Sequence, residues 1–332
     1  MEKLKITLAC GEYDRTRALM DGTVQLEGVD IKYLAIGQPS EIFQRMLHGE
    51  EFDVSELSFS NYLMGIAQGD RRFIAIPVFP SRMFRHSFIW VNTGCGIVNP
   101  RDLAGKRIGC PDYSMTALLY IRGLLQHEYG VLPQDMRWVR GRKEKAKLDL
   151  PPGVRIEDAP AGQSLDTLLE RGDLDALASA MVPPAFRKGT PAIRRLFPNA
   201  RQVEREYYLK TGIFPIMHVI VIRRPIYEAN QWLAKGLAEA FQKAKADSYA
   251  RLNDHVSHLY SLPWAELDFE ESRQLFHGDP YAYGVAPNRP TLEAMTTYSY
   301  EQGLCKRLVP LEELFAPETI GLFSGAGQSK GE

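Results

Sequence analysis

The sequence predicts an α/β fold of two lobes, with mixed sheets flanked by helices and a ligand cleft between the lobes. Three observations carry this. Short strand-like runs alternate with helical patterns from Lys5 onward, the order of an open α/β sheet. A polar, proline-containing shift near residue 93 opens a second series of such units. Finally, Ile213–Ile222 is apolar throughout except for His218, and both of its alternating faces are apolar. That run reads as a fully buried strand returning the chain to the first lobe. The expected domains are therefore 1–92 plus 213–325 for the first lobe and 93–212 for an inserted second lobe. A disordered tail is expected over 326–332.

In chain order, Lys5–Cys10 is a strand ending at Gly11, followed by a polar loop and a helical pattern to Met20. Val29–Ile36 is a second strand, and Ser40 opens a helix that stops at Gly49. Phe52–Phe59 is strand and loop, and Asn61 begins another helix. In the segment from Arg72 to Asn92, an extended chain would put Arg82, Phe84, His86, Phe88 and Trp90 on one face. Such a face is either a wall for an anionic aromatic ligand or an edge strand with solvated charges. Pro111–Thr116 leads into an amphipathic helix, Ala117–Tyr129, where small hydroxyl residues either cap free N–H groups or help bind a carboxylate. Met136–Arg140 is a strand, Gly141–Gly153 a charged loop, Ser164 caps a helix to Arg171, and Leu174–Ala180 is a strand stopped by prolines. Pro198–Lys210 reads as a charged connection. Beyond Ile222, Ile226–Leu252 reads as one long helix region, 278–285 as a Gly-, Pro- and Tyr-dense loop, and Asn288 as the cap of a last helix to Gly303.

Composition narrows the function classes. The chain has 332 residues, 45% hydrophobic and 24% charged, which suits a globular protein. Lys plus Arg is 40 and Asp plus Glu 41, so the net charge of −1 argues against a nucleic-acid or membrane-surface partner. Four scattered cysteines show no metal-ligand spacing and suit free thiols in a reducing compartment. The N-terminus enters a strand with no apolar leader, and no apolar run is long enough to span a membrane. A soluble cytoplasmic protein is expected, and an enzyme of this size is expected to form a homo-oligomer.

Several stretches carry a specific resemblance: Cys10–Thr16 (CGEYDRT), Phe79–His86 (FPSRMFRH), Tyr120–Leu125 (YIRGLL), Phe214–His218 (FPIMH), Asp279–Gly284 (DPYAYG) and Asn288–Glu293 (NRPTLE). Together they resemble the 4,5-dihydroxyphthalate decarboxylase family, on a fold similar to the type 2 periplasmic binding proteins. The resemblance implies a small aromatic dicarboxylate substrate that loses one carboxylate as CO2 to give protocatechuate, in aromatic (phthalate) degradation and without a cofactor.

Such a reaction needs a clamp for the retained carboxylate, a general acid for the ipso carbon, and partners for the phenols. Arg15, Arg82 and Arg85 are the candidate clamps, with Ser114 and Thr116 contributing from the second lobe. His218 and His86 are the candidate acid and base, with His86 as the expected partner of His218. Glu56 and Tyr283 are candidates to hold phenolic hydroxyls. Each has a plainer reading: Arg15 pairing with Asp14 or Glu12 on the surface, Glu56 solvated in a loop, Tyr283 packing a seam, His218 satisfied in the core. Arg289 reads as structural, and His255 with His258 lacks a carboxylate at metal-ligand spacing. The competing function is a solute-binding protein of an ABC transporter for a small carboxylate, against which the lack of a leader sequence argues.

Overall fold

The computed structural model describes residues 2–144, 148–253 and 261–324. His255, His258 and the expected tail fall outside these. The first sheet has five strands in the order β2-β1-β3-β11-β4: β1 (Leu4–Cys10), β2 (Val29–Ala35), β3 (Val54–Ser58), β4 (Phe73–Arg82) and β11 (Ile216–Arg223). β1, β2 and β3 run parallel, while β11 lies antiparallel between β3 and β4. The Ile213–Ile222 run is thus a central strand, which is why both its faces are apolar.

The second sheet has six strands in the order β10-β5-β9-β6-β7-β8. They are β5 (Ile89–Asn92), β6 (Arg107–Cys110), β7 (Arg137–Arg140), β8 (Arg155–Asp158), β9 (Ala176–Ala178) and β10 (Ile193–Arg195). β5 lies N-terminal to the boundary expected at residues 92/93, yet it pairs with β9 and β10. The chain therefore changes sheets between Arg82 and Ile89. β4 ends at Arg82, and His86–Phe88 is a 3₁₀ turn, so the extended face expected from Arg82 to Trp90 is not formed. The two crossings touch, since the Met83 N–H donates to the Pro215 carbonyl at 3.0 Å.

Three more elements depart from the sequence reading. The charged stretch after Pro198 forms the helix Ala200–Thr211, which buries Tyr207 behind an exposed charged face. The long helix region is split, into Arg224–Ala229 and Trp232–Leu252. Asn288 sits at the helix start but directs its amide to the Ala282 and Gly284 carbonyls, bracing the preceding loop.

The largest apolar core runs through both sheets, joining Leu57, Phe79 and Val219 to Ile108 and Trp138. The cause is the helix Thr116–Tyr129, which follows β6 but packs on the helices Phe59–Ala67 and Arg289–Glu301. Tyr120 donates to the Thr291 carbonyl at 3.1 Å, and the buried Arg122 donates to Gln302 at 2.7 Å. Gly123 permits this approach, because a Cβ there would come within 2.1 Å of the Tyr298 ring. Gly123→Ala gains about 1 kcal/mol of helix propensity. It must also push Tyr298 aside, an overpacking cost of about 1–3 kcal/mol or more. Urea denaturation is expected to show a net loss of stability.

Candidate active site

The site grows from the carboxyl ends of β1 and β3 and from β11, which meets them antiparallel. β3, VSELS, is buried along its whole length, so Glu56 is fully inside the protein rather than in a solvated loop. An unpaired carboxylate there would be costly. Glu56 instead accepts hydrogen bonds from the Tyr13 hydroxyl (2.6 Å), the Gly11 N–H (2.9 Å) and Nδ1 of His218 (2.5 Å). Burial pushes the Glu56 carboxyl up, but the His218 charge, these side-chain hydrogen bonds and the Gly11 N–H outweigh it and hold the group below its ordinary value. Burial and the neighbouring Glu56 charge push the Tyr13 phenol well up, so it stays protonated and donates.

His218 reaches Glu56 because of register. It lies opposite Ser58 on β3, with Glu56 opposite Ile220, so the two side chains form a diagonal pair across the strands. On the β4 side the pairing is irregular around His218, a local break of the kind that re-aims a side chain. The ring packs edge-on against Phe43 at 4.9 Å and its side chain is 16% exposed. With Nδ1 held by Glu56, Nε2 is the nitrogen left for a ligand.

Arg15 stands in the loop after β1 with its guanidinium over two tyrosine rings: Tyr13 at 4.3 Å and Tyr281 at 4.2 Å from the guanidinium carbon. Its Nε and Nη2 donate to the Pro80 carbonyl and its Nη1 to Asp14. The Asp14 contact of the plainer reading is present, but the side chain is only 12% exposed and anchored well beyond it. A guanidinium has five N–H donors. Three are used among the described residues, which leaves two. Burial works against its charge, yet Tyr281, Tyr283, Asp14 and Tyr13 together hold its pKa above the ordinary arginine value. Tyr13 connects Arg15 to Glu56, with its ring on the guanidinium and its hydroxyl on the carboxylate. Gly11 makes room for it, because a Cβ there would meet the Tyr13 ring at 2.8 Å.

From the second sheet, Thr116 enters at the start of its helix. Its hydroxyl lies 3.0 Å from that of Ser58 and accepts the Ser60 N–H, so it satisfies the opening turn of the helix Phe59–Ala67 across the lobes. Ser114 is buried two residues earlier. Its N–H and that of Tyr113 both donate to the Glu144 carboxylate, at 3.1 and 2.6 Å. Alongside, a cavity of about 770 Å³ is lined by apolar groups from Met83, Phe88, Leu177, Met181 and Val182, with Arg142 and Arg187 among its residues.

The remaining candidates are held in other ways. Arg82 donates to the carbonyls of Phe214 (2.9 Å) and Ala282 (3.3 Å) and stacks on Phe214, with burial pulling its pKa down to about 10. It faces a separate cavity of about 250 Å³ with Tyr208, His277 and Asn288. Arg85 is buried over Phe88, and burial lowers it to about 9. His86 opens the 3₁₀ turn between the two sheets. It is enclosed by Tyr129, Phe197 and Tyr207, both ring nitrogens lack partners among the described residues, and burial pulls it down to about 4. The expected His86–His218 pair is not formed, because His218 pairs with Glu56. Tyr283 is fully buried with its hydroxyl unpartnered among the described residues and its ring under Lys245.

Sequence reasoning missed Tyr13, Lys245 and Asp279. Tyr13 and Asp279 lie inside stretches that carry the family resemblance, which was the available signal. Lys245 sits on a helix among other lysines, and nothing local distinguishes it. Among the described residues, no group of three or more His, Cys, Asp or Glu is placed to hold a metal ion, and no helix is long and apolar enough to cross a membrane.

No family model matches the chain. A 4,5-dihydroxyphthalate decarboxylase of Comamonas testosteroni is 38% identical over 329 residues, covering 97% of this chain and 99% of the relative. One of Pseudomonas putida is 39% identical over 214 residues, covering 63% of this chain and 83% of the relative. Among solved structures, the periplasmic aliphatic sulphonate binding protein SsuA from Escherichia coli superposes with a TM-score of 0.56 at 12% identity, covering 96% of this chain and 99% of that one. The alkanesulfonate-binding protein SsuA from Xanthomonas axonopodis pv. citri, bound to MOPS, gives 0.52 at 14% identity, with 96% and 98% covered. Those structures establish the periplasmic-binding-protein-like fold and nothing more, whereas the two enzymes match in sequence along the chain. The resemblance first seen in six short stretches therefore holds over nearly the whole length, and the chain belongs to the 4,5-dihydroxyphthalate decarboxylase family of carboxy-lyases.

Proposed function

We propose that the protein converts 4,5-dihydroxyphthalate to protocatechuate and CO2 without a cofactor, with His218 delivering the proton to the ipso carbon. The observation carrying this is the 2.5 Å contact between Nδ1 of His218 and the buried Glu56, which also accepts from the Tyr13 hydroxyl and the Gly11 N–H. A carboxylate so held orients the ring through Nδ1 and leaves Nε2 as the nitrogen that can carry a proton to the substrate.

The two carboxylates of the free substrate are equivalent by symmetry, so the enzyme must decide which one stays. Arg15 holds the retained carboxylate through its two free N–H groups. The leaving carboxylate is placed toward less polar walls, where forming neutral CO2 removes a charge. The phenol para to it supplies the electrons. As they move into the ring, the ipso carbon takes the proton from Nε2, the C–C bond breaks, and its electron pair restores the aromatic ring. His218 regains a proton from solvent, so each turnover consumes one. The Tyr113 and Ser114 N–H groups, which carry the Glu144 carboxylate, are suited to the same kind of ligand. The four free cysteines support a reducing, cytoplasmic setting.

Incubating the purified protein with 4,5-dihydroxyphthalate is expected to release CO2 and protocatechuate in equal amounts, at a rate unchanged by a chelator. Arg15→Lys is expected to raise KM about 10-fold or more, since an ammonium on a flexible stem replaces a stacked fork. Binding of the dicarboxylate with no product on long incubation would favour a solute-binding protein instead.

A further inference from the structure

Behind Arg15, the loop carrying Tyr281 is fastened to the helix Trp232–Leu252 by a buried ion pair. Lys245 is 1% exposed. Its Nζ donates to Asp279 Oδ2 at 2.5 Å and to the Tyr281 carbonyl at 2.9 Å, and lies 4.1 Å from the Tyr283 ring centre. The other Asp279 oxygen accepts from the Tyr249 hydroxyl (2.8 Å) and the Tyr281 N–H (3.0 Å). Both backbone polar groups of Tyr281 are thereby fixed, and its ring forms one wall of the slot that holds Arg15. The opposite wall, Tyr13, is fixed separately by Glu56. Apolar residues of equal volume often stabilise as well as a buried ion pair does, so such a pair is better explained by what it orients.

We propose that Lys245 is a positioning residue for the carboxylate clamp: through Asp279 and the Tyr281 backbone it sets where Arg15 meets the retained carboxylate. This rests on the reading of Arg15 given above. Asp279, Tyr283, Arg15 and Arg82 face the Lys245 ammonium from other elements, and Tyr249 from its own helix. Burial pulls the amine down to about 8, against the upward pull of Asp279. As pH rises through that value the ammonium is lost, Asp279 is left without its cation, and the loop loosens. The expected signature is a KM that climbs on the alkaline side.

The experiment compares wild type, Lys245→Met, Lys245→Arg, Tyr281→Leu and the double variant Lys245→Met/Tyr281→Leu, by steady-state kinetics from neutral to alkaline pH and by calorimetric binding of phthalate. Lys245→Met is expected to raise KM and the phthalate Kd on the order of 10-fold, with kcat changed far less, because a misplaced clamp loses binding first. Lys245→Arg should keep the neutral KM and lose its alkaline rise. Tyr281→Leu should match Lys245→Met, and the double variant should be no worse than either, as for residues acting in one chain. A kcat loss at unchanged KM, additive effects in the double variant, or an alkaline rise that persists in Lys245→Arg would each overturn the proposal. If Lys245→Met does not fold, an unchanged KM in Tyr281→Leu overturns it as well. Should the wild type release no CO2, the substrate reading fails, and the phthalate Kd of the same variants still decides whether Lys245 positions the clamp.

Discussion

Replacing His218 is expected to lower kcat by about 10²- to 10⁴-fold, the range that a positioned general acid contributes. The form of the replacement matters. Alanine removes the Nδ1 group that faces a fully buried carboxylate, which adds a folding defect to the loss of the acid. Asparagine keeps an N–H able to reach toward Glu56 but has no proton to give at neutral pH. His218→Asn should therefore melt close to wild type, bind substrate with a similar KM, and still lose turnover by the same factor. Steady-state kinetics beside a thermal melt separate the two contributions. Full activity in a folded His218→Asn protein would remove His218 as the acid and return the search to the cleft.

Glu56→Gln is expected to be nearly as damaging, on the order of 10²-fold or more, for a different reason. Tyr13 and His218 both donate to Oε1 and the Gly11 N–H to Oε2, so an amide oxygen in the place of Oε1 keeps the first two while the amide nitrogen, itself a donor, faces the Gly11 N–H. One buried donor is then unsatisfied, costing about 1–3 kcal/mol. The carboxylate that faces Nδ1 of His218 is then replaced by a neutral amide. The pH dependence follows from the depressed Glu56 pKa. A carboxyl whose folded pKa lies below its unfolded value stabilises the protein above the ordinary 4.5 and loses that contribution as pH falls through the folded value. Wild type should lose stability along that acid limb, while Glu56→Gln starts lower and changes less across it. Denaturant midpoints measured from neutral pH down through the carboxylate range test this. An acid limb equally steep in the variant would mean that other groups cause it.

The two sheets make the roles of the arginines separable. Among the described residues Arg15 has two unused N–H groups and lies over Tyr13, whereas Arg82 and Arg85 are buried with lowered pKa values and bind backbone or stack on phenylalanine. The sequence could not rank them, since all three are arginines in loops or strand ends of stretches that carry the resemblance. What ranks them is the direction each backbone imparts. Arg15 leaves β1 at its carboxyl end, Arg82 closes β4 toward Phe214, and Arg85 lies in the turn that carries the chain to the other sheet.

The same contrast separates the two histidines. His218 was legible as a site candidate because one imidazole in an otherwise apolar central strand is an anomaly that periodicity exposes. His86 looked equivalent only while the segment from Arg82 to Trp90 was taken as extended. The turn at His86–Phe88 rotates it into an aromatic cage, where burial keeps it neutral.

By itself, then, the sequence determined the two-lobe α/β order, the buried return strand with its histidine, and the stretches that mark the family. These are written in local periodicity and in short runs of residues. Tertiary structure alone decided that Glu56 is inside the protein, that it rather than His86 partners His218, and that Lys245 reaches Asp279 from a helix 34 residues away in sequence. It also decided that β5 joins the second sheet and that the lobes share a core. The physical reason is that pairing across strands and between lobes depends on register and on side-chain direction. Local propensity specifies neither: a glutamate reads the same in a solvated loop as in the middle of a buried strand, until its hydrogen-bond donors are in place.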